Sequence, residues 1–191
     1  MENEKKTGPE GLSGSDPENA FDLIIEEHQR LVYAVALRLT GNAAAAEDIT
    51  QETFIAAWKH LKGFRGESSL KTWLLRIAAN KARSYWRWKK LRNWVGLGRG
   101  EGDEDAPALE DLLPDRPGDR PEQAALSADL ERRVQAAIGL LPPRQREVAV
   151  LRAQELTMAE IAAALGMAEG TVKAHWFEAR KKLEASLGEY L

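Results

Sequence analysis

Apolar residues first recur at helical spacing from Phe21 onward, through Ile24, Ile25, Leu31, Val32, Val35 and Leu39. That is the period near 3.6 expected when one face of a helix is buried. Gly41-Asn42 ends the run as a C-terminal helix signal. The pattern predicts a second helix over about 44–61, then a loop, GFRGESS, then a third helix with Ser68 or Ser69 as its N-cap. On this third helix Leu74, Leu75, Ala78, Ala82, Tyr85 and Trp86 share one side at about 100° per residue. Trp73, Arg76, Asn80, Arg83 and Arg87 share the other. Periodicity lapses over 93–125, where five Gly, four Pro and a block of acids collect. It returns from Leu126 to about Leu141, breaks at Pro142-Pro143, and resumes from Arg144 to about Ala153. Two more helices are expected near 158–165 and 169–187, and no stretch alternates as a strand would.

These elements predict an all-α fold of two small helical domains, 19–92 and 126–191. A flexible acidic linker over 93–125 joins them, with a short amphipathic turn near Leu109–Leu113. Residues 1–18 are polar and rich in acids and are expected to form a disordered tail.

Charge sharpens this division. The net charge of −3 over 191 residues argues against a polyanion binder, but it averages unlike segments. Residues 20–92 hold 13 basic and 7 acidic groups, residues 93–128 hold 3 and 9, and residues 129–191 hold 9 of each. Local potential steers association, so the basic lobe outweighs the total. The absence of cysteine excludes disulfides and thiolate chemistry. The three histidines are not clustered, which leaves a metal centre without ligands. No run approaches the roughly 18 apolar residues of a membrane span, and the N-terminus is unlike a secretory signal. A cytoplasmic protein without membrane insertion, cofactor or metal is the expectation.

Three constellations carry candidate chemistry. Between Lys71 and Arg92 lie eight Lys/Arg and no acid, interleaved with Trp73, Tyr85, Trp86 and Trp88. Basic groups track phosphates and aromatic faces stack on unpaired bases, although a solvated basic face has the same composition. LTMAEIAAALGMAEGTVKAHWFEARKKL fits a helix-turn-helix, with Gly166 at the turn position that needs a left-handed backbone. Its second helix turns Val172, Trp176, Ala179 and Leu183 inward, and Thr171, Lys173, Ala174, Phe177, Glu178 and Lys181 outward. Short side chains at the start of such a helix let its backbone approach a major groove. On the second predicted helix Asp48, Gln51 and Glu52 share a face beside Phe54, Ala57, Trp58 and Leu61. This acidic patch on a basic lobe suits a protein partner better than DNA.

In this order the segments AEDITQETFIAAW, FRGESSLKTWLLRIAANKARSYWR and LPPRQREVAVLR plus the helix-turn-helix resemble the extracytoplasmic-function (ECF, group IV) sigma factors of the sigma-70 family. The resemblance covers about 20–92 and 126–187. It implies a non-enzymatic subunit that binds core RNA polymerase, through the beta-prime clamp and beta flap, and directs it to −10 and −35 promoter elements. It further implies a core-polymerase contact at Asp48, Gln51, Glu52, Phe54 and Trp58. Asn80 and the loop from Phe64 to Ser69, including Ser68, would hold flipped −10 bases. Phe64 and Trp73 are the stacking candidates, the alternative for Trp73 being a core position at the loop–helix junction, and Arg76, Lys81, Arg83 and Arg87 would meet phosphates. Reading of the −35 element falls on Thr171, Lys173, Ala174, His175 and Phe177, with Arg180 and Lys181 on the backbone. Glu178 departs from the family, where a basic residue is common, which leaves the base preference open: an acid there repels phosphate but can accept from cytosine N4. An anti-sigma factor is an implied partner. The linker either enters the polymerase cleft or serves as a spacer. The rival reading is a stand-alone helix-turn-helix regulator.

Overall fold

The computed structural model describes residues 17–95 and 121–188, with side chains over 19–95 and 128–188. The expected tail up to residue 16 and most of the linker, with its turn near Leu109–Leu113, lie outside the described residues, whereas residues 17–18, expected in the tail, open the first helix. Among the described residues the regular structure is entirely helical.

Helix α1 runs Pro17–Thr40, α2 Ala43–His60 and α3 Leu70–Trp94. Gly41 takes φ 67°, which lets the chain reverse between α1 and α2 without a Cβ clash. Asn42 then caps α2, its side-chain oxygen accepting from the Ala45 N–H at 2.8 Å. A 3-10 turn, Leu61–Gly63, follows α2. Ser69, rather than Ser68, caps α3: its Oγ accepts from the Thr72 N–H at 3.0 Å, a contact worth about 1 kcal/mol. Val32, Val35, Ala36, Ala46, Ile49, Phe54, Ala57, Leu74, Leu75, Ala78 and Ala79 fill the space between the three helices. The alanines let the helix axes approach closely.

The second lobe comprises α4 Pro121–Gly139, α5 Pro143–Arg152, α6 Met158–Leu165 and α7 Glu169–Leu187. Helix α4 starts ahead of the apolar periodicity, because Pro121 is pre-set for a first helical position and the residues after it favour helix. A capping box opens α6: Thr157 accepts from the Glu160 N–H, and the Glu160 carboxylate accepts from the Thr157 N–H at 2.8 Å. Gly166 ends α6 in the left-handed region at φ 63°. Val148, Val150, Leu151, Leu156, Ile161, Leu165 and Val172 make this lobe's core.

The two lobes pack together. Helix α3 lies on α6, and α1 lies on α4 and α5, so one buried cluster draws on both lobes. Polar groups finish the junction. The Gln135 amide donates to the Leu37 carbonyl at 3.3 Å, and Arg38 pairs with Glu131 at 2.9 Å. The Arg146 guanidinium donates to the carbonyls of Leu39, Gly139 and Leu141 and stacks 5.6 Å from the Trp86 ring. Trp86, expected among the core residues of α3, is 37% exposed and donates from Nε1 to the Leu39 carbonyl at 3.0 Å. At about 1.5 Å per residue, α3 with its 25 residues outruns α2 with 18, so its last turns overhang the three-helix core.

Candidate nucleic-acid interface

The base of α3 and the loop before it enclose a cleft of about 430 Å³, lined by Phe64, Arg65, Glu67, Ser68, Thr72, Trp73 and Arg76 and closed on one side by Ala163 and Ala164 of α6. Phe64 and Trp73 are half-buried, with ring centroids 5.0 Å apart and planes tilted by 38°. Trp73 also packs on the core, so it joins the two roles open in the sequence, with one edge inward and one on the cleft. Ser69 is occupied as the N-cap, and Ser68 donates to the Ser69 carbonyl. Thr72 donates through Oγ1 to Glu160 at 3.1 Å, tying the start of α3 to the start of α6.

Further along α3, Arg76, Asn80 and Arg87 are exposed in one stripe. Arg83 belongs to it but is engaged: Nε and Nη2 each donate to a Glu147 carboxylate oxygen at 3.2 Å, and Nη1 donates to Asn80 Oδ1 at 3.3 Å. Glu147 is 7% exposed and also accepts from Arg144 at 2.9 Å. A buried carboxylate is tolerable only when its charge is met this way. Lys81, on the edge of the stripe, pairs with Glu52 of α2 at 2.7 Å.

Helix α7 presents a second surface. Thr171, Lys173, Ala174, Phe177, Glu178, Arg180 and Lys181 are exposed, and His175 is half-buried. Val172 and Ala179 are buried, and Trp176 and Leu183 pack on the core, so the inward stripe is the one its spacing predicted. Phe177 is 67% exposed, an apolar ring held in water with no core role. Lys173 pairs with Glu169 at 2.7 Å and Arg180 with Glu184 at 2.6 Å, exposed contacts that contribute little to stability. Burial pushes the Glu160 carboxyl up, but bonds from the Thr157 backbone and side chain, from Thr72, and the charge of Lys71 outweigh it. Its pKa therefore lies below the ordinary value.

The third surface is on α2. Asp48, Gln51 and Glu52 are exposed together. Phe54 departs from its expected place beside them: it is 7% exposed and meets Phe21 edge-on at 6.4 Å, so it belongs to the core. Ile55 is the apolar residue that faces out, at 54% exposure. Sequence spacing held that signal, since Ile55 follows Gln51 and Glu52 by four and three residues and lies on their face. Trp58 is 44% exposed and rests edge-on against Phe21 at 5.0 Å.

Among the described residues no group of acids and histidines is arranged to hold a metal ion, and no helix is long and apolar enough to cross a membrane. The fold and its surfaces define a two-lobed helical protein with a basic aromatic helix and a helix-turn-helix. Family models match in the same order: Sigma-70 region 2 over residues 24–92 and Sigma-70 region 4 over 131–183. The chain is 33% identical to RNA polymerase sigma-H factor of Pseudomonas aeruginosa over 180 residues, covering 88% of this chain and 86% of that protein. It is also 33% identical to ECF RNA polymerase sigma factor SigW of Bacillus subtilis over 171 residues, covering 89% and 90%. The sigma factor RpoE of Bartonella quintana, solved with the anti-sigma factor NepR, superposes with a TM-score of 0.67 at 26% identity, over 90% of this chain and 99% of that one. CnrH, solved with the cytosolic domain of CnrY, gives 0.61 at 26% identity over 95% of each chain. The chain belongs to the sigma-70 family of RNA polymerase sigma factors, in its extracytoplasmic-function group.

Proposed function

We propose that this chain binds core RNA polymerase in the cytoplasm, directs it to promoters with −10 and −35 elements, and performs no covalent chemistry of its own. The observation that carries this reading is the separation of three surfaces on two lobes: an acidic face on α2, a basic aromatic cleft on α3 and an exposed reading face on α7. Asp48, Gln51, Glu52 and Ile55, with Trp58 alongside, form a patch of acids around an apolar centre, suited to a basic and apolar surface on the polymerase clamp. At the −10 element, Phe64 and Trp73 offer faces to extruded bases, and stacking returns about 1–3 kcal/mol per base against the cost of unpairing. Asn80 supplies an amide for base edges, and Arg76, Arg83 and Arg87 meet the strand. At the −35 element Thr171, Lys173, Ala174, His175 and Phe177 face the major groove, with Arg180 and Lys181 on phosphates. Phe177 fits a thymine methyl, and the Glu178 carboxylate can accept from cytosine N4.

Two solved relatives are held by an anti-sigma factor or by a cytosolic domain, which supports an inhibitory protein partner here as well. In the closed arrangement Arg83 is held by Glu147 and the cleft is walled by α6, so promoter melting requires the lobes to part. In vitro transcription with and without core polymerase tests the proposal: promoter-dependent transcripts should appear only when both are present. Tight, sequence-specific binding by the chain alone, with no stimulation of polymerase, would favour a stand-alone regulator and defeat it.

A further inference from the structure

The last two turns of α3 carry apolar side chains that neither promoter recognition nor lobe packing uses. Trp88, Leu91, Trp94 and Val95 are all more than half exposed, Trp94 at 84%. At 100° per residue they fall within an arc of about 120°. Arg87 lies inside this arc, and Lys90 and Arg92 border it. The Arg92 guanidinium covers the Trp88 ring at 4.5 Å. The other side of the same turns, with Trp86, Lys89 and Asn93, lines a cleft against Pro143 and Arg146 of the second lobe. The four apolar side chains therefore point away from the junction. Single exposed apolar residues are ordinary, but four contiguous ones on a cationic helix end mark a binding surface.

We infer that this face docks the acidic segment of the same chain, residues 101–115. That segment lies outside the described residues, and its sequence is complementary on both counts. It holds seven acids and no base, to meet Arg87, Lys90 and Arg92, and it holds Leu109, Leu112 and Leu113, to meet the tryptophans, Leu91 and Val95. Reach is sufficient: eight steps of chain separate Val95 from Asp103, up to about 26 Å extended, against a patch about 10 Å long. Glycines at 96, 98, 100 and 102 permit the reversal this needs. Covalent attachment gives the segment an effective concentration in the millimolar range, ahead of any free competitor. A second copy of the face would repel the first. DNA phosphates would satisfy its cations but leave Leu91 and Val95 in water.

Acrylamide quenching of Trp94 in the full-length chain tests this, the Trp94 component being taken as the difference between the native protein and Trp94→Phe. A neutralised variant carries Asp103→Asn, Glu104→Gln, Asp105→Asn, Glu110→Gln and Asp111→Asn, and a second variant carries Leu112→Ser with Leu113→Ser. Native Trp94 should be quenched about twofold less than in either variant, and about 0.5 M salt should remove most of the difference from the neutralised chain. The substitutions touch no residue of either lobe's described core, so circular dichroism and melting should match the native protein. Equal quenching in all three proteins overturns the inference. So does protection that depends on protein concentration, which would indicate a second copy, or that appears only on adding an oligonucleotide or phosphatidylglycerol vesicles. No polymerase enters the measurement, so its result stands apart from the promoter assay.

Discussion

Gly166 and Asn80 show two ways a single side chain matters here. Gly166 sits at φ 63°, and no neighbouring atom comes within 4 Å of where a Cβ would stand. Replacing it with Ala therefore costs only the left-handed backbone, about 1 kcal/mol. Gly166→Ala should lower the denaturation midpoint by that amount while leaving packing, and hence near-ultraviolet dichroism, unchanged. Asn80 is exposed, and its side chain accepts a bond from Arg83. Asn80→Ala should leave stability and polymerase affinity unaltered but reduce promoter opening about tenfold, the effect of losing one base-edge contact. Permanganate footprinting at the −10 element reads it. Glu160 adds a pH dependence. Its folded pKa is depressed below 4.5, so its stabilising bonds to Thr157 and Thr72 are fully present above that value. They are lost as pH falls through the folded one. Glu160→Gln should flatten the acid limb of the stability profile, the part that falls as pH drops below the ordinary carboxylate value.

At the scale of elements, helices announce themselves through period and punctuation, and their faces less so. Gly41-Asn42, the serines before α3 and Pro142-Pro143 mark boundaries because each imposes a local geometry that no tertiary contact overrides. Phe54 and Ile55 show where that clarity ends. They are neighbours about 100° apart and both apolar, so composition does not separate them; the i+3 and i+4 spacing of Ile55 from Glu52 and Gln51 turns it outward, and Phe54 packs on Phe21. Trp86 was legible as apolar but not as a junction residue, because its role depends on how far α3 overhangs its partners. The acidic face of α2, by contrast, was fully legible from spacing. Asp48→Arg should weaken association with core polymerase about tenfold by charge reversal, and Ile55→Ser should do so without changing net charge. Titration against labelled polymerase distinguishes both from a folding defect.

For the whole molecule, the packing of the lobes was the part the sequence concealed. Its polar contacts are made by Arg83, Glu147, Thr72, Glu160, Arg146 and Gln135, residues that hydrophobic periodicity assigns to solvent. Glu147→Gln keeps the shape of the junction and removes the charge that holds Arg83. It should shift the chain toward separated lobes by about 1–3 kcal/mol. Fluorescence transfer between dyes on α2 and α7 should fall, and affinity of the free chain for a single-stranded −10 oligonucleotide should rise. An unchanged transfer efficiency would show that the apolar junction alone keeps the lobes together. The patch on α2 is a different matter. Asp48, Gln51 and Ile55 stand open on the outer side of the closed molecule, whereas Arg83 is engaged at the seam. With that patch as the proposed polymerase contact, recruitment need not wait for the lobes to part, whereas a grip on unpaired strands by Arg83 must, an order that would leave the unaccompanied subunit unable to hold opened DNA.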